Sequence, residues 1–176
     1  MTYNGNLPSL HLGSAAWAEA PPDPLAEPDL YDGLVYRRVA GYAVDVVLIA
    51  VLSVALGLAF GLAGVLSFGL LSPLGFAAVA LLPVSYHSYF IGRRGATPGM
   101  ALFDLEMRTW TGHRPDYVQA FLVTVLFYTT VTVTAWLVLA VALFNDRRRT
   151  LHDYLAGTVV VRRSRVAAGA PAWAEK

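Results

Sequence analysis

From residue 46 to residue 92 the chain runs through 47 positions without one Asp, Glu, Lys or Arg. As one straight helix that stretch would be about 70 Å long, against a hydrocarbon core of roughly 30 Å. It therefore has to double back, and the glycine-rich stretch 57–75, with Ser72-Pro73 inside it, supplies the turn. The pattern predicts a first span over about 39–61 and a second over about 70–91. A core helix of a water-soluble protein carries a polar stripe at a 3.6-residue period. None is visible here, so the medium around these segments is lipid.

Composition agrees. Only 14% of the 176 residues are charged and 56% are hydrophobic, where a soluble domain carries about a quarter charged residues. A net charge of +1 offers no field suited to nucleic acid, so no nucleic-acid partner is expected. The absence of cysteine excludes a disulfide scaffold, thiolate metal sites and thiol catalysis.

A third uncharged block covers residues 117–145, 29 positions, more than one span needs and too few for two. The threonine-rich stretch 129–134 lies in its middle, where hydroxyls compete for backbone hydrogen bonds. The block reads either as one long tilted helix or as a broken, re-entrant pair. Lys and Arg total 13, and none falls in the loop between the first two spans. If the third block crosses once, they divide six against seven; if it turns back, all lie on one face. The positive-inside rule favours re-entry, with both termini cytoplasmic in the inner membrane of a bacterium.

The flanks read differently. Residues 1–35 are acidic and proline-rich, without a basic start or apolar core, which predicts a disordered tail rather than a signal peptide. Residues 164–176 read as a second disordered tail, leaving a membrane domain over 36–163. Between the spans, 102–108 alternates apolar and charged residues and 157–163 is β-branched, so two short strands are expected to pair on the cytoplasmic face, bringing Leu105 near Val160. The fold class is thus an all-α integral membrane protein of three helical blocks, the third either continuous or re-entrant, with a small hairpin-like β element.

Asp45 sits inside the first span, where a carboxylate costs about 2.5–3.5 kcal/mol at a helix centre and less near an interface. Arg38 is two turns earlier on the same face, too far to bond it directly, so another element must supply the partner of Asp45. Two roles stay open: a hydrogen-bonded residue that locks helix packing, or a proton or cation site. For the second role Tyr42, Ser53 and the hydroxyls of 129–134 are the available oxygens.

The segment Arg-Val-Ala-Gly-Tyr-Ala-Val-Asp at 38–45 resembles the opening of the RDD family of small membrane proteins, named for one arginine and two aspartates. Gly-Ala-Thr-Pro-Gly at 95–99 resembles that family's loop after the second span, and residues 149–161 its closing motif. On this resemblance the name-giving residues are Arg38, Asp45 and Asp153, with Thr97, Gly99 and His152 inside the matching motifs. Two departures stand out. Met100 occupies a position where the family commonly has a basic residue, removing one headgroup or ligand contact. Gln119 and Ala120 stand where an arginine often opens the third block. The resemblance implies no agreed biochemical function: transport of an undefined ligand is the usual suggestion, and sodium/proton antiport is attributed to some members.

Other residues weigh toward structure. Thr97-Pro98 suits a helix start. The arginines at 93–94 and 147–149 read as interfacial anchors for anionic lipid headgroups or as topology determinants. His87 reads as a packing histidine of the interfacial belt rather than a proton relay. No metal-ligand spacing, nucleophile elbow or phosphate loop is present, so neither an enzyme nor a cofactor is expected. The functional choices are a small-ion or solute transporter acting through Asp45, and a non-transporting scaffold in which Arg38, Asp45 and Asp153 form a polar network. The expected partners are the bilayer, its anionic headgroups, and a second copy or another membrane protein.

Overall fold

Two long helices form the hairpin that the uncharged stretch demands in the computed structural model, which describes residues 21–134 and 146–169. Helix α1 (Leu34–Leu66) extends beyond the expected span at both ends, and α2 (Ser72–Arg94) starts at the Ser-Pro pair. Phe68 and Gly69, both at positive φ, make the turn between them. Both helices are long and apolar enough to cross a membrane. The most apolar window of α1 has none of its residues buried, with Val51, Leu58 and Leu62 exposed along it. A soluble core helix would bury that surface; a lipid-facing helix leaves it outward.

The packed core lies instead at the open end of the hairpin. Gly95 ends α2 at φ +70, and Thr97-Pro98 at once starts the short helix α3 (Pro98–Leu102), the Thr97 hydroxyl accepting from the Met100 N–H at 3.1 Å. Strand β1 (Leu105–Thr109) follows and so begins later than the expected 102–108, because α3 takes up Leu102 and Asp104 turns the chain at φ +61. It pairs antiparallel with β2 (Thr158–Arg162). The expected pairing is present, but its register sets Met107 against Val160 and Leu105 against Arg162. Nor is it a simple hairpin, since residues 110–157 lie between the strands in sequence. The half-buried pattern also fails at Glu106, which is 2% exposed: Arg108 and Arg114 both reach its carboxylate at 3.0 Å, so charge pairing replaces water on that face.

Helix α4 (Tyr117–Thr134) stays helical through the threonine stretch. The hydroxyls bond carbonyls of their own helix, Thr130 to Leu126 and Phe127 and Thr132 to Tyr128, so they do not break it. The remainder of the third block, 135–145, lies outside the described residues. Beyond it the Arg147 guanidinium lies 5.8 Å from the centre of the Trp110 ring, and helix α5 (Leu151–Leu155) packs on α4. Gln119 Nε2 donates to the Ala156 carbonyl at 3.0 Å, so residues 147–157 stand beside the start of α4.

The described parts of the tails, 21–35 and 164–169, differ from the sequence reading, and the rest of both tails lies outside the described residues. Residues 28–34 are folded: Leu30, Tyr31 and Leu34 are buried with Val159, Val161 and Val166. Residues 163–169 form helix α6 (Arg163–Gly169), and Arg165 meets Asp29 at 3.5 Å. The cause is the apolar face of β2, which two strands alone leave uncovered and which both flanks close over. Burial pushes the Tyr31 hydroxyl up to about 12, with Arg147 opposing.

Candidate binding site

Asp45 is 2% exposed, and three donors converge on it. Its Oδ1 accepts from the Tyr86 hydroxyl and from the Gly99 N–H, each at 2.9 Å. Its Oδ2 accepts from the Thr97 hydroxyl. The start of α3 supplies two of these, the hydroxyl of its N-cap Thr97 and the Gly99 N–H that a helix start leaves unpaired. That turn can reach α1 only because both backbones lack side chains at the crossing: a Cβ on Gly99 would stand 2.1 Å from the Gly41 carbonyl oxygen. Thr97 and Gly99 thus join Asp45 in one cluster. Tyr42 packs its ring on Phe127 at 5.3 Å. Tyr86 was not singled out from sequence; a polar hydroxyl near the end of an uncharged stretch, beside His87, was the available signal.

Asp153 is fully buried, and Arg38 Nη1 meets its Oδ2 at 2.6 Å. The same oxygen accepts the Thr150 N–H at 3.0 Å and the Thr150 hydroxyl at 2.8 Å, closing a capping box at the start of α5. Burial alone would raise the Asp153 carboxyl, but Arg38 and the other partners outweigh it and hold the group below the usual carboxylate range. His152 lies 2.8 Å from the Thr150 hydroxyl, and burial lowers its imidazole from the usual value, with Asp153 opposing. Since the Thr150 proton goes to Asp153, His152 Nε2 carries the proton given to Thr150, and Nδ1 is the bare acceptor.

Arg149 is no surface anchor. It is 5% exposed, donates to the Thr158 and Asp153 carbonyls at 2.9 and 2.8 Å, and stacks over Trp110 and Tyr154. His87 Nδ1 lies 2.9 Å from the Pro83 carbonyl, and its ring packs among Tyr42, Tyr86 and Tyr128, a packing geometry.

Both acidic clusters border one cavity of about 250 Å³ between α1, α2 and α4. Arg38, Tyr42, Asp45, Thr97, His152 and Asp153 line it, while Val39, Ile91, Val123 and Phe127 make its walls apolar. Met100 lines it too and adds apolar surface. Gly99 contributes from behind Asp45. Among the described residues no three His, Cys, Asp or Glu side chains come together as metal ligands.

A family model described as the RDD family matches residues 33–157. No curated protein and no solved structure matches the chain.

Proposed function

Because the chain belongs to the RDD family of membrane proteins, we propose that it is a multi-pass protein of a bacterial inner membrane that binds a small ion or solute in the cavity between α1, α2 and α4 and carries it across. The observation that supports this is the cavity itself, bordered by all three name-giving residues, Arg38, Asp45 and Asp153. In this reading the third block re-enters, and the arginine-rich layer around β1 and β2 faces the cytoplasm with both termini. The contact of Arg147 with Trp110, before α4, supports that return. So does the gathering of arginines in the layer: Arg37 bonds the Phe103 carbonyl, Arg38 pairs with Asp153 and Arg162 with Asp104. Anionic headgroups would meet this face.

A second reading has its own support. The Asp45 carboxylate is bound by three donors of the protein, which suits a latch between α1, α2 and α3 better than a cation ligand. The protein would then be a scaffold or assembly module. Flux of candidate ions and solutes into liposomes holding the purified protein tests the choice. Flux lost in an Asp45→Asn variant that still folds supports transport, and no flux with any solute supports the scaffold.

A further inference from the structure

Arg38 holds Asp153 through Nη1 alone. Its Nε and Nη2 are buried, and neither has a hydrogen-bond partner among the described residues. These two atoms form the side-on edge of the guanidinium, whose parallel N–H bonds match the paired oxygens of a carboxylate or phosphate. Donors left this way in apolar surroundings are costly unless something binds them. Beside them, Asp153 Oδ1 and His152 Nδ1 are also buried and unpartnered, on side chains 0% and 7% exposed. Oδ1 lies 4.0 Å from His152 Nε2, so the cluster is compact. Both of these atoms are acceptors. Arg38, His152 and Asp153, the side chains that carry this donor fork and these two acceptors, all border the cavity.

The remaining lining is mixed: Tyr42, Asp45, His87, Thr97 and Thr124 carry polar groups, but most of the wall is apolar. Val35, Val39, Ile91, Val123 and Phe127 offer hydrocarbon only. The charges of Arg38 and Asp153 cancel, and Arg149 adds a positive charge behind them, its Nη2 at 2.8 Å from the Asp153 carbonyl. A monoanion or a zwitterion fits that balance, while a multiply charged anion meets the Asp153 carboxylate.

We propose that the cavity takes an amphiphile whose head group joins an oxyanion to a hydroxyl or ammonium. The oxyanion sits on the Nε–Nη2 edge of Arg38, the neighbouring donor faces Asp153 Oδ1 or His152 Nδ1, and the apolar body lies along the valine and phenylalanine walls. This rests on the cavity being a binding site, as proposed above. The head-group chemistry is shared by membrane phospholipids and by soluble phosphorylated amines.

Native mass spectrometry and thermal shift on the full chain in dodecyl maltoside test it with three probes: lysophosphatidylethanolamine, lysophosphatidylcholine, which lacks the N–H donors, and O-phosphoethanolamine, which lacks the tail. The first should bind and raise the melting temperature, the second bind about tenfold more weakly for want of a charged hydrogen bond, and the third not bind. Arg38→Lys keeps a charge for Asp153 but loses the fork, and should weaken lysophosphatidylethanolamine at least about tenfold. Val39→Trp fills the apolar wall from a position 60% exposed and should also abolish the shift. Equal binding by the wild type and both variants overturns the site. Equal affinity for O-phosphoethanolamine overturns the amphiphile and assigns the fork to a soluble anion. Lysolipid binding without solute flux would sink transport alone, and flux unchanged in Arg38→Lys would sink this inference alone.

Discussion

Arg38 and Asp153 stand 115 positions apart in the sequence and meet at 2.6 Å in the fold. The pair pins the start of α1 to α5, and through Thr150 it also shapes the helix that carries Asp153.

Removing one partner should therefore hurt more than removing both. Asp153→Ala strands a guanidinium that is 17% exposed and opens the capping box, a loss of about 3–5 kcal/mol for a buried pair. Asp153→Asn keeps an acceptor for Thr150 and should lose less. The double variant Arg38→Met with Asp153→Asn should melt higher than the sum of its single effects requires. Strict additivity in detergent melts would show that the two residues are not energetically coupled.

Asp45→Asn keeps one oxygen for Tyr86 and Gly99 and turns an NH₂ toward Thr97, whose hydroxyl can accept it. Its stability cost should stay near about 1–2 kcal/mol, whereas Asp45→Leu leaves buried donors without a partner at about 1–3 kcal/mol each. Melting curves of the two variants side by side read this directly.

Gly99→Ala drives a methyl group into the Gly41 carbonyl at 2.1 Å and into the Asp45 carboxylate at 2.8 Å. Overpacking of this kind costs about 1–3 kcal/mol or more, and the variant should lose the α1–α3 crossing. Gly57→Ala is the control: nothing lies within 4 Å of its added carbon, so helix propensity should make it neutral or more stable by about 0.8–1 kcal/mol. Equal melting temperatures for the two would count against the crossing.

The strand register can be trapped chemically in a chain that has no cysteine of its own. Met107 and Val160 are direct partners, with Cβ atoms expected about 4.5–5.5 Å apart, while Leu105 and Val160 are diagonal at about 7–8 Å. Cysteines at the first pair should oxidise to a disulfide, and those at the second should stay reduced. The reverse result would shift the register by two residues.

Protonation should weaken the fold through His152. Burial and Arg38 lower its imidazole, with Asp153 opposing, so the folded value lies below the unfolded value of about 6.5. Above that pH neither state binds the proton and the group contributes nothing. As pH falls below it, the unfolded chain gains a proton the fold refuses, and stability drops. Melting temperatures of the wild type should fall between about pH 6.5 and 5 more steeply than those of His152→Gln. Parallel curves would refute this. Asp153 acts in a lower window: its contribution is present above about pH 3.9 and is lost as pH falls through its depressed folded value.

The membrane helices were legible because a run of 47 uncharged residues allows few folds. The strands were legible because their alternation and β-branching are local. The surroundings of Asp45 were not, since its partners come from three places, 41, 52 and 54 positions away, and no periodicity encodes such a meeting. Arg149 was misjudged for a related reason. An arginine triplet looks the same whether it faces lipid headgroups or closes over Trp110 and Tyr154. The folded stretch 28–34 was not legible because acidic, proline-rich composition hides the spacing of Leu30, Tyr31 and Leu34, which bury themselves on β2.

The order in which the clusters complete themselves has a consequence for biosynthesis. Asp45 meets its last partner, Gly99, 54 residues later, and Arg38 meets Asp153 after 115. At about 5–20 residues per second, α1 exists for roughly 3–11 s without its latch and for roughly 6–23 s without its ion pair. A nascent chain truncated between Gly99 and Asp153 would carry a sealed Asp45 and an Arg38 still without its counter-ion.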